Sequence, residues 1–169
     1  ALDQAAHAGG KAASRELGGF RFDTGPSLFT LPQVFRGFFA RLGRDLRDYL
    51  EPVPLAPLCA YEFADGTRLR SDSDRAAFAA ELARAGVATR AELDAYLARS
   101  AGMWAAAGEL FLTRSLHEPG TYLSRQGLRA IRNAARLAPF ATLHNANARA
   151  FADPRAVQLF DRYATYNGS

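Results

Sequence analysis

Two glycine-containing motifs near the start of the chain constrain its fold most. The first is Gly9-Gly10-Lys11, which follows Asp3, and the second is residues 20–26, FRFDTGP. Glycine has no Cβ atom, so the double glycine lets the backbone pass close to a phosphate or a ribose, and Lys11 would add a cation there. In a dinucleotide-binding βαβ unit an acid after the second strand binds the adenosine ribose, which makes Asp3 the candidate. The motifs alone are also consistent with an alternative interpretation, in which both are ordinary turns.

Short alternating runs predict hairpins, and longer periodic runs predict helices. The two predicted antiparallel hairpins consist of residues 14–17 with 20–24 around Gly18-Gly19, and residues 60–63 with 67–70 around Asp65-Gly66. Helical periodicity dominates the rest of the chain. The expected fold class is therefore α+β, mainly helical with short antiparallel hairpins.

Polar residues ahead of apolar runs predict where several helices begin. The predicted N-terminal signals are Thr30 with Gln33, Ser73, Thr89 with Glu92, Ser124, and Asp153 with Pro154. A threonine followed three residues later by Glu or Gln is the capping-box pattern. The first helix is expected to bury Phe35 and Phe38. Core positions are also expected for the other large aromatic side chains, which include Trp104, Phe111, Phe140 and Phe160.

Composition excludes several classes of protein. An apolar share of 49% and a charged share of 22% in 169 residues are typical of a globular chain of modest size. No apolar run approaches the ~20 residues needed to span a bilayer. Cys59 is the only cysteine, which excludes a disulfide framework and a thiolate metal site within one chain. Because the net charge is only +4 and no nucleic-acid module is present, no nucleic-acid partner is expected.

No conventional catalytic set is visible. His7, His117 and His144 are scattered, and none has an acid or a nucleophile at a spacing typical of a catalytic triad. Surface or core positions are expected for all three. The sequence therefore assigns no catalytic residue, and no metal ligand is predicted. The lack of a conventional catalytic set suits an enzyme whose cofactor carries the chemistry.

Four arginines are spaced to form one stripe on a helix. Arg125, Arg129, Arg132 and Arg136 follow one another at steps of four, three and four residues. Leu128 and other apolar residues lie on the adjoining face. Such a helix can lie in a membrane interface, although a solvated face on a core helix is the commoner explanation.

The order and spacing of these motifs resemble the bacterial phytoene desaturase family of carotenoid-modifying flavoproteins, in the flavin amine oxidase superfamily. Residues 19–26 are similar to the family's GFxFDxGP element, residues 50–55 to its post-helix segment, and residues 63–67 to its short hairpin. Residues 162–168, RYATYNG, resemble the RYATYxG element of carotenoid desaturases and hydroxycarotenoid dehydrogenases. The resemblance spans nearly the whole chain.

The resemblance implies FAD as cofactor, a two-domain α/β flavoprotein fold for the parent protein, and a long polyene substrate such as phytoene or a hydroxycarotenoid. It assigns Asp3 to the adenosine ribose, Gly9, Gly10 and Lys11 to the diphosphate, and Asp23, Thr24, Gly25 and Pro26 to the region near the flavin. Tyr163 and Tyr166, in the RYATYxG element, would line the polyene tunnel. Lys11 stands where the superfamily usually has arginine, which keeps the charge but loses the planar fork.

The family's G-x-G-x-x-G loop and its second flavin-contacting segment do not occur in this sequence. We therefore expect residues 1–30 to be the end of an FAD-binding lariat, and residues 31–169 to be the substrate-binding and helical membrane-side region of a larger enzyme. The segment alone is expected to be inactive. The resemblance places the parent in the cytoplasm, peripheral to the inner membrane. The alternatives are another flavin amine oxidase-like oxidoreductase, and a non-catalytic helical module that binds lipid or membrane.

Overall fold

The computed structural model describes residues 10–25 and 29–167, without the side chains of residues 135, 136, 166 and 167. The chain divides into two compact units, Ala1–Val53 and Pro54–Ser169. The first unit contains strands β1 (Ser14–Leu17) and β2 (Phe20–Asp23), helix α1 (Pro32–Arg41) and a 3-10 turn at Leu46–Asp48. The second unit contains β3 (Cys59–Glu62), β4 (Arg68–Ser71), α2 (Arg75–Arg84), α3 (Arg90–Thr113), α4 (Pro119–Leu123), α5 (Arg125–Arg132), α6 (Leu143–Ala150), α7 (Pro154–Asp161), and 3-10 turns at Ala134–Leu137 and Arg162–Asn167. The predicted fold class is confirmed.

The β1–β2 hairpin forms where the sequence predicts it. Ser14 pairs with Asp23, and Leu17 pairs with Phe20. The two residues between the strands have positive φ angles, +59° at Gly18 and +80° at Gly19. A two-residue hairpin turn with both central residues in this region fits the right-handed twist of the strands, and glycine adopts it without strain.

Helix α1 differs from the prediction at its start and on its apolar face. Its N-cap is Leu31, in the left-handed region, and no side chain caps it, so Thr30 does not form the predicted capping box. Phe35 and Phe38 are 44% and 59% exposed, so their predicted burial is wrong. Among the described residues of the first unit, no strand or second α-helix covers this face, and the ring of Phe35 lies 4.8 Å from that of Phe29 between centroids. The amphipathic spacing correctly identified the apolar face of α1, but it does not indicate which element packs against that face.

The second unit opens on the other predicted hairpin. Strands β3 and β4 pair from Cys59 with Ser71 to Glu62 with Arg68. At the turn, the Thr67 N–H donates to the Asp65 carboxylate over 2.9 Å. This local bond is the mechanism by which aspartate favours turns.

Side-chain caps set the starts of most helices in the second unit. Thr89 and Glu92 form the predicted capping box on α3, in which each side chain accepts a hydrogen bond from the other residue's backbone N–H. Ser124 caps α5 and Asp153 caps α7, as predicted. The cap of α2 is Asp74 and not the predicted Ser73, because the Asp74 carboxylate accepts the hydrogen bond of the Ala77 N–H.

The main core of the second unit lies where α2, α3, α7 and strand β4 meet. Leu69, Leu82 and Leu93 are almost completely buried there. Phe160 is also buried, as predicted, whereas Trp104, Phe111 and Phe140 are largely exposed, so their predicted core positions are wrong. These three side chains find no covering element within the part of the chain that the structure describes.

Helix α3 links this core to a second, smaller cluster. Its first half buries Leu93 in the main core, and its second half packs Ala107 and Leu110 against Ala130 of α5. At 24 residues it is the longest helix described. Across the described residues, neither it nor any other helix combines the length and the apolar character needed to cross a bilayer.

Candidate functional site

The β1–β2 hairpin brings the two predicted cofactor-binding motifs together. The Thr24 N–H and hydroxyl both donate to the Ala13 carbonyl, over 2.9 and 3.1 Å, and extend the hairpin beyond its strands. This places Gly25 against Lys11. A Cβ atom at Gly25 would lie 1.9 Å from the Lys11 carbonyl oxygen, so only glycine allows this approach. The contact joins the Gly-Gly-Lys motif to the Asp-x-Gly-Pro motif.

The remaining residues of this predicted set are placed as follows. Gly10 has a φ angle of +57°, a conformation that glycine adopts readily. Lys11 and Asp23 are exposed. The nearest cation to Asp23 is Arg21, at 3.7 Å between Nη2 and Oδ1. Asp3, Gly9 and Pro26 lie outside the described residues.

A bare glycine backbone beside an exposed lysine is suited to a phosphate-bearing ligand. At Gly10 a Cβ atom would meet no heavy atom within 4 Å, which leaves room for a ligand to approach, whereas the Cβ position of Gly25 is filled by the Lys11 backbone. The exposed ammonium of Lys11 can bind a phosphate as a point charge. The residues present therefore fit the diphosphate of a dinucleotide.

The predicted substrate residues belong to the second unit. Tyr163 lies in the 3-10 turn after α7, is half exposed, and stacks on Phe160 with 6.3 Å between ring centroids. Tyr166 lies in the same turn, and its side chain is outside the described residues. Their role in lining a polyene tunnel stays a prediction.

Arg162 ties this turn to the β3–β4 hairpin. Its guanidinium donates to the Tyr61 hydroxyl over 2.5 Å and lies 5.1 Å from the centre of the Tyr61 ring. Burial raises the pKa of Tyr61, so the oxygen that accepts this hydrogen bond belongs to a neutral phenol. The RYATYxG element is therefore anchored to the sheet through its arginine.

The predicted arginine stripe is shorter than expected. Helix α5 ends at Arg132, and Arg136 falls in the 3-10 turn Ala134–Leu137, so the prediction of four arginines on one helix is wrong. The hydrogen bond from the Asn133 side chain to the Arg129 carbonyl competes with continued α-helix at this point. Arg125, Arg129 and Arg132 do share the exposed side of α5.

Sequence spacing missed one contact between polar side chains. The His144 Nδ1 lies 2.7 Å from the Asp161 Oδ2, and the Asn147 side chain donates to the Asp161 Oδ1 over 2.8 Å. His144 and Asp161 are 17 positions apart, at the start of α6 and the end of α7. Only the antiparallel packing of these two helices brings them together, so no local spacing could have indicated the pair.

The loop between α6 and α7 is held by the capping glutamate of α3. The second oxygen of the Glu92 carboxylate accepts from the Ala152 N–H over 3.0 Å. Hydrogen bonds from Thr89 and then from Ala152 hold the pKa of Glu92 below its usual value, so the carboxylate remains charged near neutral pH. One side chain thus caps α3 and fixes the helical pair that carries His144 and Asp161.

Comparison with known proteins supports both the predicted dinucleotide-binding segment and the resemblance to carotenoid-modifying enzymes. Residues 1–42 match the NAD(P)-binding Rossmann-like domain family, which identifies a dinucleotide-binding segment. The chain is 39% identical over 163 residues to the 1-hydroxycarotenoid 3,4-desaturase of Flavobacterium sp. strain P99-3, covering 96% of this chain and 33% of that protein.

Two further relatives show how far the similarity extends. The hydroxyneurosporene desaturase of Rhodobacter capsulatus is 32% identical over 95% of this chain and 32% of its own length. The phytoene dehydrogenase of Streptomyces griseus is 44% identical over 43% of this chain and 14% of its own length. The chain thus spans about a third of the length of the relatives that it matches throughout. On similarity that covers nearly every residue, the chain belongs to the carotenoid and phytoene desaturase family.

Proposed function

We propose that this chain forms part of an FAD-dependent oxidoreductase that desaturates a linear carotenoid precursor. The observation that carries the proposal is the contact of Gly25 with Lys11, which holds two motifs of a dinucleotide-binding segment side by side. When bound, FAD would supply the acceptor for the hydride that leaves the polyene. The protein would bind and orient both partners.

The proposed residue roles follow the positions of the two motifs. Asp3 binds the adenosine ribose, Gly9, Gly10 and Lys11 face the diphosphate, and Asp23, Thr24, Gly25 and Pro26 lie near the flavin. The double hydrogen bond from Thr24 to the Ala13 carbonyl supports this arrangement because it holds the second motif beside the first. Residues 1–30 would then serve the cofactor, and residues 31–169 the polyene.

A hydroxylated polyene is the substrate class that we favour over phytoene. Two relatives that align with at least 95% of this chain carry a hydroxylated carotenoid in their names. The phytoene dehydrogenase of Streptomyces griseus aligns with only 43% of it. Tyr163 and Tyr166 would contact the polyene.

The test is made on the longest natural chain that contains these residues. We expect the purified protein to show flavin absorption near ~450 nm that bleaches without oxygen when a linear hydroxycarotenoid is added. Gly25→Ala should weaken flavin binding at least tenfold because its Cβ would force the Lys11 backbone away. Fluorescence titration with FAD measures the effect.

Gly37→Ala is the matched control. Gly37 lies within α1, and a Cβ there would meet no heavy atom within 4 Å, so flavin binding should not change. A protein that stays colourless with added FAD, or that binds NAD(P)H instead, would contradict the proposal. A flavin bleached by amines but not by polyenes would favour a different oxidoreductase of the same superfamily.

We also propose that helix α5 contacts an anionic membrane, with the protein at the cytoplasmic face of the inner membrane. Leu128 and Ile131 are about half exposed, and Arg125, Arg129 and Arg132 lie beside them on the same exposed side. An exposed apolar stripe flanked by arginines fits the boundary between acyl chains and anionic headgroups. The same surface would serve a non-catalytic lipid-binding module.

Replacing Arg125, Arg129 and Arg132 together with glutamine should weaken binding to vesicles of phosphatidylglycerol and phosphatidylcholine at least tenfold. Each arginine near an anionic surface contributes about 1 kcal/mol. Co-sedimentation measures the loss. The control replaces three exposed arginines outside α5, namely Arg99, Arg114 and Arg149, with the same change in net charge. Equal binding by the two triple variants would contradict a role for α5.

A further inference from the structure

The helical pair α6 and α7 carries a polar site at one end of an apolar groove. We propose that His144 and Asp161 bind the hydroxyl group at the end of a hydroxylated polyene, and so make this region a determinant of substrate specificity. The inference rests on the proposed function, to which it adds the residues that recognise the substrate. Neither side chain belongs to the predicted cofactor-binding set.

A buried amide fixes the carboxylate of this site. Asn147 is fully buried and donates to the Asp161 Oδ1 over 2.8 Å. Its own Oδ1 has no hydrogen-bond partner among the described residues. A buried polar atom without a partner costs stability, so local packing alone gives no reason to prefer asparagine here. The arrangement holds Asp161 in one orientation.

The fixed carboxylate in turn orients the imidazole. The His144 Nδ1 lies 2.7 Å from the Asp161 Oδ2. In the neutral ring Nδ1 therefore carries the proton, and the Nδ1–H group donates a hydrogen bond to the carboxylate. The other nitrogen, Nε2, is then an acceptor. The His144 side chain is 67% exposed, and no described residue bonds to Nε2. The ring therefore offers an oriented acceptor to an incoming hydroxyl.

The groove beside this pair has the size and lining for the end of an isoprenoid chain. Its volume is about 380 Å³. Its apolar wall comes from Ala148 on α6, Pro154 and Val157 on α7, and Phe151 between them, while His144, Asp161 and Gln158 provide the polar groups. Ligand sites of about 300–1,000 Å³ are common, and this one is at the small end, so it would hold one terminus rather than a whole polyene.

The chemistry of the pair favours a hydroxyl over a hydrocarbon or an anion. A hydrocarbon end would remove water from His144 and Asp161 without replacing its hydrogen bonds, which is unfavourable. A hydroxyl can donate to Nε2 and satisfy the ring. The Asp161 carboxylate disfavours an anionic headgroup at the same place.

The first test compares two substrates in the longest natural chain that contains these residues. For His144→Phe we expect the ratio of kcat/KM for a hydroxylated carotenoid to that for the matching non-hydroxylated carotenoid to fall about tenfold, the effect of one hydrogen bond. His117→Phe is the matched control, since His117 is an exposed histidine outside the groove. An unchanged ratio, or an equal loss with both substrates, would overturn the inference.

The second test does not depend on turnover. In ¹⁵N-histidine-labelled protein, the His144 signal is assigned by its loss in His144→Phe. In the neutral ring the Nδ1-protonated tautomer is expected, and Asp161→Asn should remove that preference because the charged acceptor is lost. A ten-carbon terpene alcohol should shift the His144 Nε2 resonance, and the hydrocarbon of the same skeleton should not.

The two tests separate failure of this inference from failure of the proposed function. If no polyene is dehydrogenated, the proposed function fails, and the terpene titration still decides whether the site binds a hydroxyl. Equal shifts with the alcohol and the hydrocarbon, or no shift with either, would overturn the site even in an active desaturase.

Discussion

Replacing Phe160 with alanine is expected to lower the free energy of unfolding of the Pro54–Ser169 unit by about 3–5 kcal/mol. Phe160 is 5% exposed and lies at the centre of an aromatic cluster. Its ring stacks on Phe151 with centroids 4.7 Å apart, and its centroid is 4.5 Å from that of Tyr96. The substitution would remove these contacts and leave a cavity that α3 and α7 could close only in part.

Urea unfolding of the 169-residue chain, followed by far-UV circular dichroism, measures this loss. Phe111→Ala is the control because Phe111, on α3 of the same unit, is 59% exposed, and its substitution should lower the free energy of unfolding by well under about 1 kcal/mol. Since Phe160→Ala could prevent folding altogether, Phe160→Leu provides a milder variant with an expected loss of about 1–2 kcal/mol. If the Phe160 and Phe111 variants unfold at the same urea concentration, the aromatic cluster is not the core of this unit.

Replacing Arg155 with methionine is expected to lower the free energy of unfolding of the Pro54–Ser169 unit by about 2–3 kcal/mol. The guanidinium bonds to both oxygens of Asp153, and its Nη1 also donates to Thr67 over 2.8 Å and to Asp65 over 3.1 Å. Its Nη2 donates to the Gly86 carbonyl over 3.0 Å. One side chain thereby joins the β3–β4 turn, the loop between α2 and α3, and the start of α7.

Arg155→Lys separates charge from geometry in this network. Lysine keeps the positive charge but cannot form the paired bonds of the planar guanidinium, so most of the loss should remain. Arg149→Met is the matched control, because Arg149 is exposed on α6 and its substitution should change stability by less than about 0.5 kcal/mol. Full retention of stability in Arg155→Lys would show that charge alone holds the three segments together.

Local sequence signals predicted the ends of elements well. Gly18-Gly19 indicated the first hairpin because a two-residue turn needs positive φ angles, and both residues have them. Thr89 and Glu92 indicated the start of α3 because their side chains satisfy backbone N–H groups only a few residues away. The same pattern at Thr30 was misleading, because the helix begins one residue later, after Leu31.

Burial was predicted less well than secondary structure. The spacing of Phe35 and Phe38 on α1 correctly placed them on one apolar face. Leu93 is buried because α2 and α7 pack against it, whereas Phe35 and Phe38 remain exposed in the described part of the first unit. Hydrophobic periodicity indicates which face of a helix is apolar. Which element packs against that face depends on residues far away in the sequence.

The two hairpins, most helix starts and the family could be predicted from residue types, because each depends on residues within a few positions of one another or on motifs that occur in order. The contacts of Gly25 with Lys11 and of His144 with Asp161 are visible only in the tertiary structure. Both contacts join residues 14 or more positions apart, and their formation depends on how a hairpin closes or how two helices pack. Local hydrogen bonds and φ preferences act between residues that are close in sequence. A binding site combines residues that are distant in sequence, and the packing of the elements sets the distances between them.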